Sequence, residues 1–144
     1  MTPFVTNYQS FVVHNNQIMT ITNPKKSTRV LGMTGEDLAA DYLRRLGYQI
    51  IARNYHARMG ELDIVAQKEG VWHFVEVKTR SSAQHGQPYE AVRPWKVQHL
   101  KKAAWLYLLR HGHSTSQRMV FDVISILKMG SDYNITFYQN VSMY

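Results

Sequence analysis

The sequence contains no cysteine. That excludes disulfide frameworks and thiolate metal sites, and it suits a reducing cytoplasm. No stretch approaches the roughly 20 consecutive apolar residues of a membrane span, which argues against a membrane location. The opening residues, MTPFVTNYQSFVVHNN, have neither a basic start nor a long apolar run, so they do not read as a secretory signal. Acids are scarce: ten Asp and Glu stand against seventeen Lys and Arg, a formal net charge of +7. Residues 1–32 hold no acid at all, only Lys25, Lys26 and Arg29. A chain this basic favours a polyanion or an anionic membrane surface as partner. There is no internal repeat.

What remains reads as an ordinary globular protein. At 144 residues and 44% hydrophobic composition the chain can build one real core. Residues 1–32, rich in Asn and Thr, read as a basic N-terminal extension, with FVVHNNQIMTIT fitting a short hairpin around Asn15 and Asn16. Residues 33–144 read as the folded α/β domain.

TGEDLAADYLRRLGY is the first helix. Thr34 and Asp37 have capping-box spacing, Leu38, Tyr42, Leu43 and Leu46 share a face, and Gly47 is a natural stop. Three strand-like runs follow, YQIIARNYHA, GELDIVAQ and VWHFVEVKTR, the last two separated by a tight turn at residues 68–70. A polar loop, SSAQHGQPYEAV, leads to a helix from about Pro94 to Arg110 whose buried stripe is Val97, Leu100, Ala104, Tyr107 and Leu108. MVFDVISIL and NITFYQNV complete the chain as strands. The order α-β-β-β-α-β-β predicts a single α/β domain with a mixed central sheet flanked by helices.

The chemistry lies in two of these runs. Charged residues interrupt apolar strands in LDIVA and FVEVK. With a period of two, Trp72, Phe74, Glu76, Lys78 and Arg80 share one face, which begins apolar and ends charged. Such a strand leaves a core and enters a cleft. In GELDIV, Glu61 and Asp63 share a face, with Leu62 and Ile64 opposite. Antiparallel pairing through the 68–70 turn brings Asp63 level with Glu76. Two carboxylates held close repel unless a proton or a cation lies between them, and an all-oxygen site suits Mg²⁺ or Mn²⁺. A metal so held polarises a phosphate oxygen, and a neighbouring lysine offsets charge that builds in the transition state.

GELDIV followed by FVEVKTR resembles the PD-(D/E)xK signature of restriction-endonuclease-like nucleases. With TGEDLAADYL, the pairs Gly47-Tyr48 and Arg53-Asn54, GQPYEAV, the Lys96 helix and FDVISI, the chain more closely resembles the YraN-like family of small bacterial proteins. That family is similar in architecture to archaeal-type Holliday junction resolvases. The resemblance covers about residues 33–127. It implies a restriction-endonuclease-like fold, with Asp63, Glu76 and the Val77 carbonyl as metal ligands and Lys78 as catalytic lysine. Glu36 is implied as the helical acid that reaches the same site. The resemblance implies lesser roles for Gln87 and Tyr89 along the cleft. Two departures stand out: Leu62 occupies the position of the signature proline, and Met119 and Val120 separate Arg118 from Phe121-Asp122.

Arg80, Arg53, Arg58, Lys96, Lys101 and Lys102 are the candidates for phosphate contact, against the alternative of solvated surface charge. A structural ion-pair network is the alternative for Asp63, Glu76 and Lys78. Glu61 reads as a salt-bridge partner, and Trp95, Trp105 and Tyr107 as core or cap residues. The expected function is a Mg²⁺- or Mn²⁺-dependent endonuclease acting on structured DNA in repair or recombination. The competing expectation is a nucleic-acid-binding accessory protein that retains the fold without turnover. Resolution of junctions requires a homodimer, for which NITFYQNV offers a surface.

Overall fold

The computed structural model describes residues 7–14, 17–18, 34–81, 94–129 and 132–141. The elements are β1 (Asn7–His14), β2 (Gln17–Ile18), α1 (Gly35–Arg45), β3 (Gln49–Ala57), β4 (Gly60–Lys68), β5 (Val71–Arg80), α2 (Pro94–Arg110), β6 (Met119–Met129) and β7 (Asp132–Gln139). From α1 onward this is the order read in the sequence. The strands form one sheet in the order β2-β1-β7-β6-β5-β4-β3. Only β5 and β6 are parallel, from Trp72↔Met119 to Arg80↔Leu127, and α2 lies in the crossover that a parallel pair requires.

The hairpin read around Asn15 and Asn16 is present as the β1–β2 pair, with His14 opposite Gln17. β1 also pairs along β7 from Asn7↔Gln139 to Val13↔Tyr133. The last strand therefore has a neighbour on both sides.

Each helix covers one face of the sheet. α1 starts at a complete capping box: Asp37 N donates to Thr34 Oγ1, and Thr34 N donates to Asp37 Oδ2 at 2.8 Å. Its Leu38, Ala39, Ala40, Tyr42 and Leu43 pack on Ile64, Ala66, Val75, Ile124, Ile126, Ile135 and Phe137. α2 packs Leu100, Ala103, Ala104, Tyr107 and Leu108 on Leu62, Val65, Trp72, Phe74 and Val123. Trp72 is 1% exposed, and its indole N–H finds an acceptor in Gln117 Oε1, so its large apolar body is buried without an orphaned donor. Beyond α2, Gly112 takes φ +72 and His113 N donates to Leu108 O at 2.8 Å, which closes the helix end in the left-handed manner that glycine permits.

One face assignment is corrected. Leu62 packs with the α2 cluster and Ile64 with the α1 cluster, so they do not share a face. β4 changes its alternation at Asp63. The β4–β5 ladder runs from Lys68↔Val71 only as far as Ile64↔Val75. Beyond that pair the strands no longer bond backbone to backbone, and a crevice opens between them.

Candidate active site

Asp63 occupies the point where the ladder ends. Its Oδ2 accepts the Val77 amide at 2.8 Å, so a side chain replaces the backbone acceptor that a continuing strand would supply. This fixes the carboxyl at the mouth of the crevice, whose lining includes Leu62, Asp63, Phe74, Glu76 and Leu100. Glu76 follows Trp72 and Phe74 on the α2 face of β5 and is only 8% exposed. A carboxylate so buried needs a compensating charge, and Lys78 Nζ lies 3.0 Å from Glu76 Oε1.

Glu36 reaches the same neighbourhood from α1. The first turn of that helix sits directly on β5: a Cβ at Gly35 would fall 1.9 Å from Thr79 Oγ1, so any larger residue would force the Thr79 side chain or the helix to shift. The electrostatic result appears at Asp63. Burial pushes its carboxyl up to about 6, the Val77 amide opposes the rise, and the negative charges of Glu76 and Glu36 reinforce it. A hydrogen bond with the Glu76 side chain acts in the same upward direction. The structure thus brings Asp63, Glu76 and Lys78 together, with Glu36 within electrostatic reach.

The donors fit a hard divalent cation in kind. They are oxygens, they carry excess negative charge, and Asp63 resists ionisation in a way that a nearby cation would relieve. Among the described residues, however, no group of three or more His, Cys, Asp or Glu side chains stands ready to hold a metal ion. Asp63, Glu76 and the Val77 carbonyl would have to hold it, and the Lys78–Glu76 contact is also what a structural ion pair would look like.

The remaining candidates fall in different places. Arg53 is tied to Asp37, with Nη2 2.6 Å from Oδ1, and links β3 to the first turn of α1. That hydrogen bond, with those from Thr34, draws the Asp37 carboxyl down to about 2. Arg58 is exposed in the β3–β4 turn, and Arg80 is half-buried at the end of β5. Lys101 and Lys102 are exposed on α2. Glu61 pairs with His56 at 2.8 Å on the surface, the salt-bridge role read for it. Gln87 and Tyr89, and the side chains of Trp95, Lys96 and Val97, lie outside the described residues. Tyr107 is core, but Trp105 is not: it is 47% exposed.

The sequence reading passed over one buried cluster. Asp122, in the apolar run VFDVIS, is 1% exposed; its Oδ2 lies 2.7 Å from His73 Nδ1, and its Oδ1 accepts the Asn140 amide at 2.7 Å. Tyr48 meets the His73 ring edge-on at 4.8 Å. A charge inside an apolar strand was the signal that found Asp63, and it applies equally to Asp122.

The sequence matches a known protein family. Residues 35–126 match the model of a group described as uncharacterised protein family UPF0102. A UPF0102 protein of Syntrophomonas wolfei is 54% identical over 102 residues, covering 69% of this chain and 85% of that protein. One from Geobacter sulfurreducens is 48% identical over 104 residues, covering 72% and 80%. A third, from Flavobacterium psychrophilum, is 38% identical over 110 residues, covering 76% and 91%. The matched region runs from the first turn of α1 through β6 and so contains Glu36, Asp63, Glu76 and Lys78. By the extent of this match and the level of identity, the chain belongs to the UPF0102 family.

Proposed function

We propose that this protein is a Mg²⁺- or Mn²⁺-dependent nuclease that hydrolyses phosphodiester bonds in structured DNA, in cytoplasmic repair or recombination. The observation that carries the reading is the meeting of Asp63 and Glu76 where β4 leaves β5, with Lys78 on the second acid. A buried acid crowded by a half-buried one is costly to stability, and such costs are characteristic of working sites.

Asp63, Glu76 and the Val77 carbonyl would hold the ion, which when bound supplies Lewis acidity toward the phosphodiester. The chain's own groups do the rest. Val77 N–H holds the Asp63 carboxyl in place. Lys78 gives up part of its interaction with Glu76 to offset negative charge developing on the phosphoryl oxygens. Glu36 adds to the charge that draws in the cation, while the α1 N-terminus beside it moderates the repulsion among the acids. Arg80 and Arg58 would supply phosphate contacts.

A second reading is a nucleic-acid-binding accessory protein without turnover. It is favoured by the Lys78–Glu76 pair itself and by the absence of a three-donor metal group among the described residues. Incubation with labelled duplex, single-stranded, flap and four-way-junction DNA in Mg²⁺ and in Mn²⁺ separates the two. Metal-dependent cleavage, strongest on a branched or partly single-stranded substrate, is expected. Binding with no cleavage of any substrate would favour the accessory reading.

A further inference from the structure

We infer that the outer face of α2 is a platform for single-stranded nucleic acid, with Trp105 stacking an unpaired base and Lys101 and Lys102 engaging the flanking phosphates. The inference rests on the nucleic-acid reading above and adds the form of nucleic acid recognised.

Two large apolar side chains are exposed among the described residues, Trp105 at 47% and Leu109 at 52%. Both are on α2, four residues apart, and therefore one above the other. They stand opposite the buried stripe of Leu100, Ala103, Ala104, Tyr107 and Leu108, so core packing does not explain them. The next residues up the same face are Lys101 and Lys102, about 6 Å along the axis from Trp105. The whole helix, PWKVQHLKKAAWLYLLR, contains no acid. An aromatic plane beside two cations on a helix whose own sequence has no acid is the combination that single strands use: a base offers a π-face of any sequence, and the backbone offers regular negative charge.

The position of the strip adds to this. Leu100, one residue before Lys101, lines the crevice with Asp63 and Glu76. The exposed strip thus begins at the level of the candidate site and leads away from it along the helix. The strip and the crevice lie on different sides of the same helix, and a fully paired duplex has no free base for Trp105.

A second copy of this chain is the competing occupant. An isologous contact through this strip would cover Lys101 and Lys102 of each copy with a helix that contains no acid to pair with them. Charge complementarity therefore favours a polyanion over self-association.

The test is fluorescence anisotropy of the full chain with a labelled oligothymidylate and with a duplex of equal length, in EDTA so that no cleavage intervenes. Trp105→Ala should weaken single-strand binding about tenfold and leave duplex binding nearly unchanged, while Trp105→Phe should retain most of the affinity. Lys101→Gln/Lys102→Gln should reduce the salt slope for the single strand by about 1.4. Because Trp105 is exposed, circular dichroism should show all variants folded. Unaltered single-strand binding by Trp105→Ala would overturn the inference. So would displacement by polyglutamate as effective as by unlabelled oligothymidylate, or a wild-type dimer that Trp105→Ala converts to monomer in sedimentation. Failure of the nuclease reading looks different: the wild type would bind the oligonucleotide through Trp105 and cleave nothing when metal is restored.

Discussion

Asp63 Oδ2 accepts the backbone amide of Val77 one step beyond the last ladder pair, Ile64↔Val75. A single side chain thus ends the pairing of two strands, opens the crevice between them and holds a carboxylate at its mouth. Because burial, and then the charges of Glu76 and Glu36, oppose its ionisation, it is ionised at a cost.

That cost has a sign that pH reveals. The Asp63 carboxyl lies at about 6 in the folded protein against an ordinary 3.8. The folded state therefore binds this proton more tightly than the unfolded chain. The resulting stabilisation is full below about pH 3.8 and is lost as pH rises through about 6. Asp63→Asn removes the charge, keeps an oxygen for the Val77 amide and offers an N–H to Glu76. It should be more stable than the wild type by about 1–3 kcal/mol at pH 7.5, with a smaller advantage at pH 4.5, as measured by urea denaturation. A variant less stable than the wild type at pH 7.5 would show that the acids are not in conflict.

The seat of α1 is set by one missing methyl group. Gly35→Ala places a Cβ 1.9 Å from Thr79 Oγ1, so the Thr79 side chain or the first turn has to shift. The variant should lose about 1–3 kcal/mol. Thr79→Ala should recover part of that loss, which a double-mutant cycle by thermal denaturation measures as a favourable coupling. Independent effects at the two positions would contradict the contact.

Arg53 is read here as a structural residue. Its guanidinium holds the Asp37 carboxyl at about 2, below the ordinary 3.8. This contribution is present above about pH 3.8 and disappears as pH falls toward 2. Arg53→Gln should cost on the order of 1 kcal/mol at neutral pH and progressively less as the medium is acidified. Its effect on the salt dependence of DNA binding should be small, because one guanidinium already committed to a carboxylate releases few counterions from DNA.

Asp122 joins β6 to His73 on β5 and to the Asn140 amide beyond β7. Asp122→Ala removes the buried carboxylate that accepts from the Asn140 amide and meets His73, and should cost about 3 kcal/mol or more. Asp122→Asn keeps an acceptor for Asn140 and should cost less. Equal losses in the two variants, measured by chemical denaturation, would mean that the Asn140 contact carries no weight.

The sequence made much of this legible for local reasons. Thr34 and Asp37 announce α1, the 68–70 turn sets the level of Asp63 and Glu76, and the period of β5 delivers Trp72 and Phe74 to one core before Glu76 and Lys78 reach the crevice. What it could not carry depended on distant partners. The irregularity at Asp63, which separates Leu62 from Ile64, arises because a side chain takes over a ladder bond, and no alternation pattern encodes that. Arg53 looks like a surface cation until α1 places Asp37 beside it. Trp105 looks like a core aromatic by type, and only the direction of the buried stripe turns it outward.

The central claim is that Asp63, Glu76 and Lys78 together cleave phosphodiester bonds, and it is tested most directly by cleavage rates with wild type, Asp63→Asn and Lys78→Ala. Each protein is checked for folding and for DNA binding in EDTA, then supplied with Mg²⁺ or Mn²⁺ and a labelled junction or flap substrate. The account predicts metal-dependent cleavage by the wild type, and a loss of at least about 100-fold in both variants while binding persists. Cleavage that survives both substitutions, or a wild type that binds every substrate and cleaves none, would contradict it.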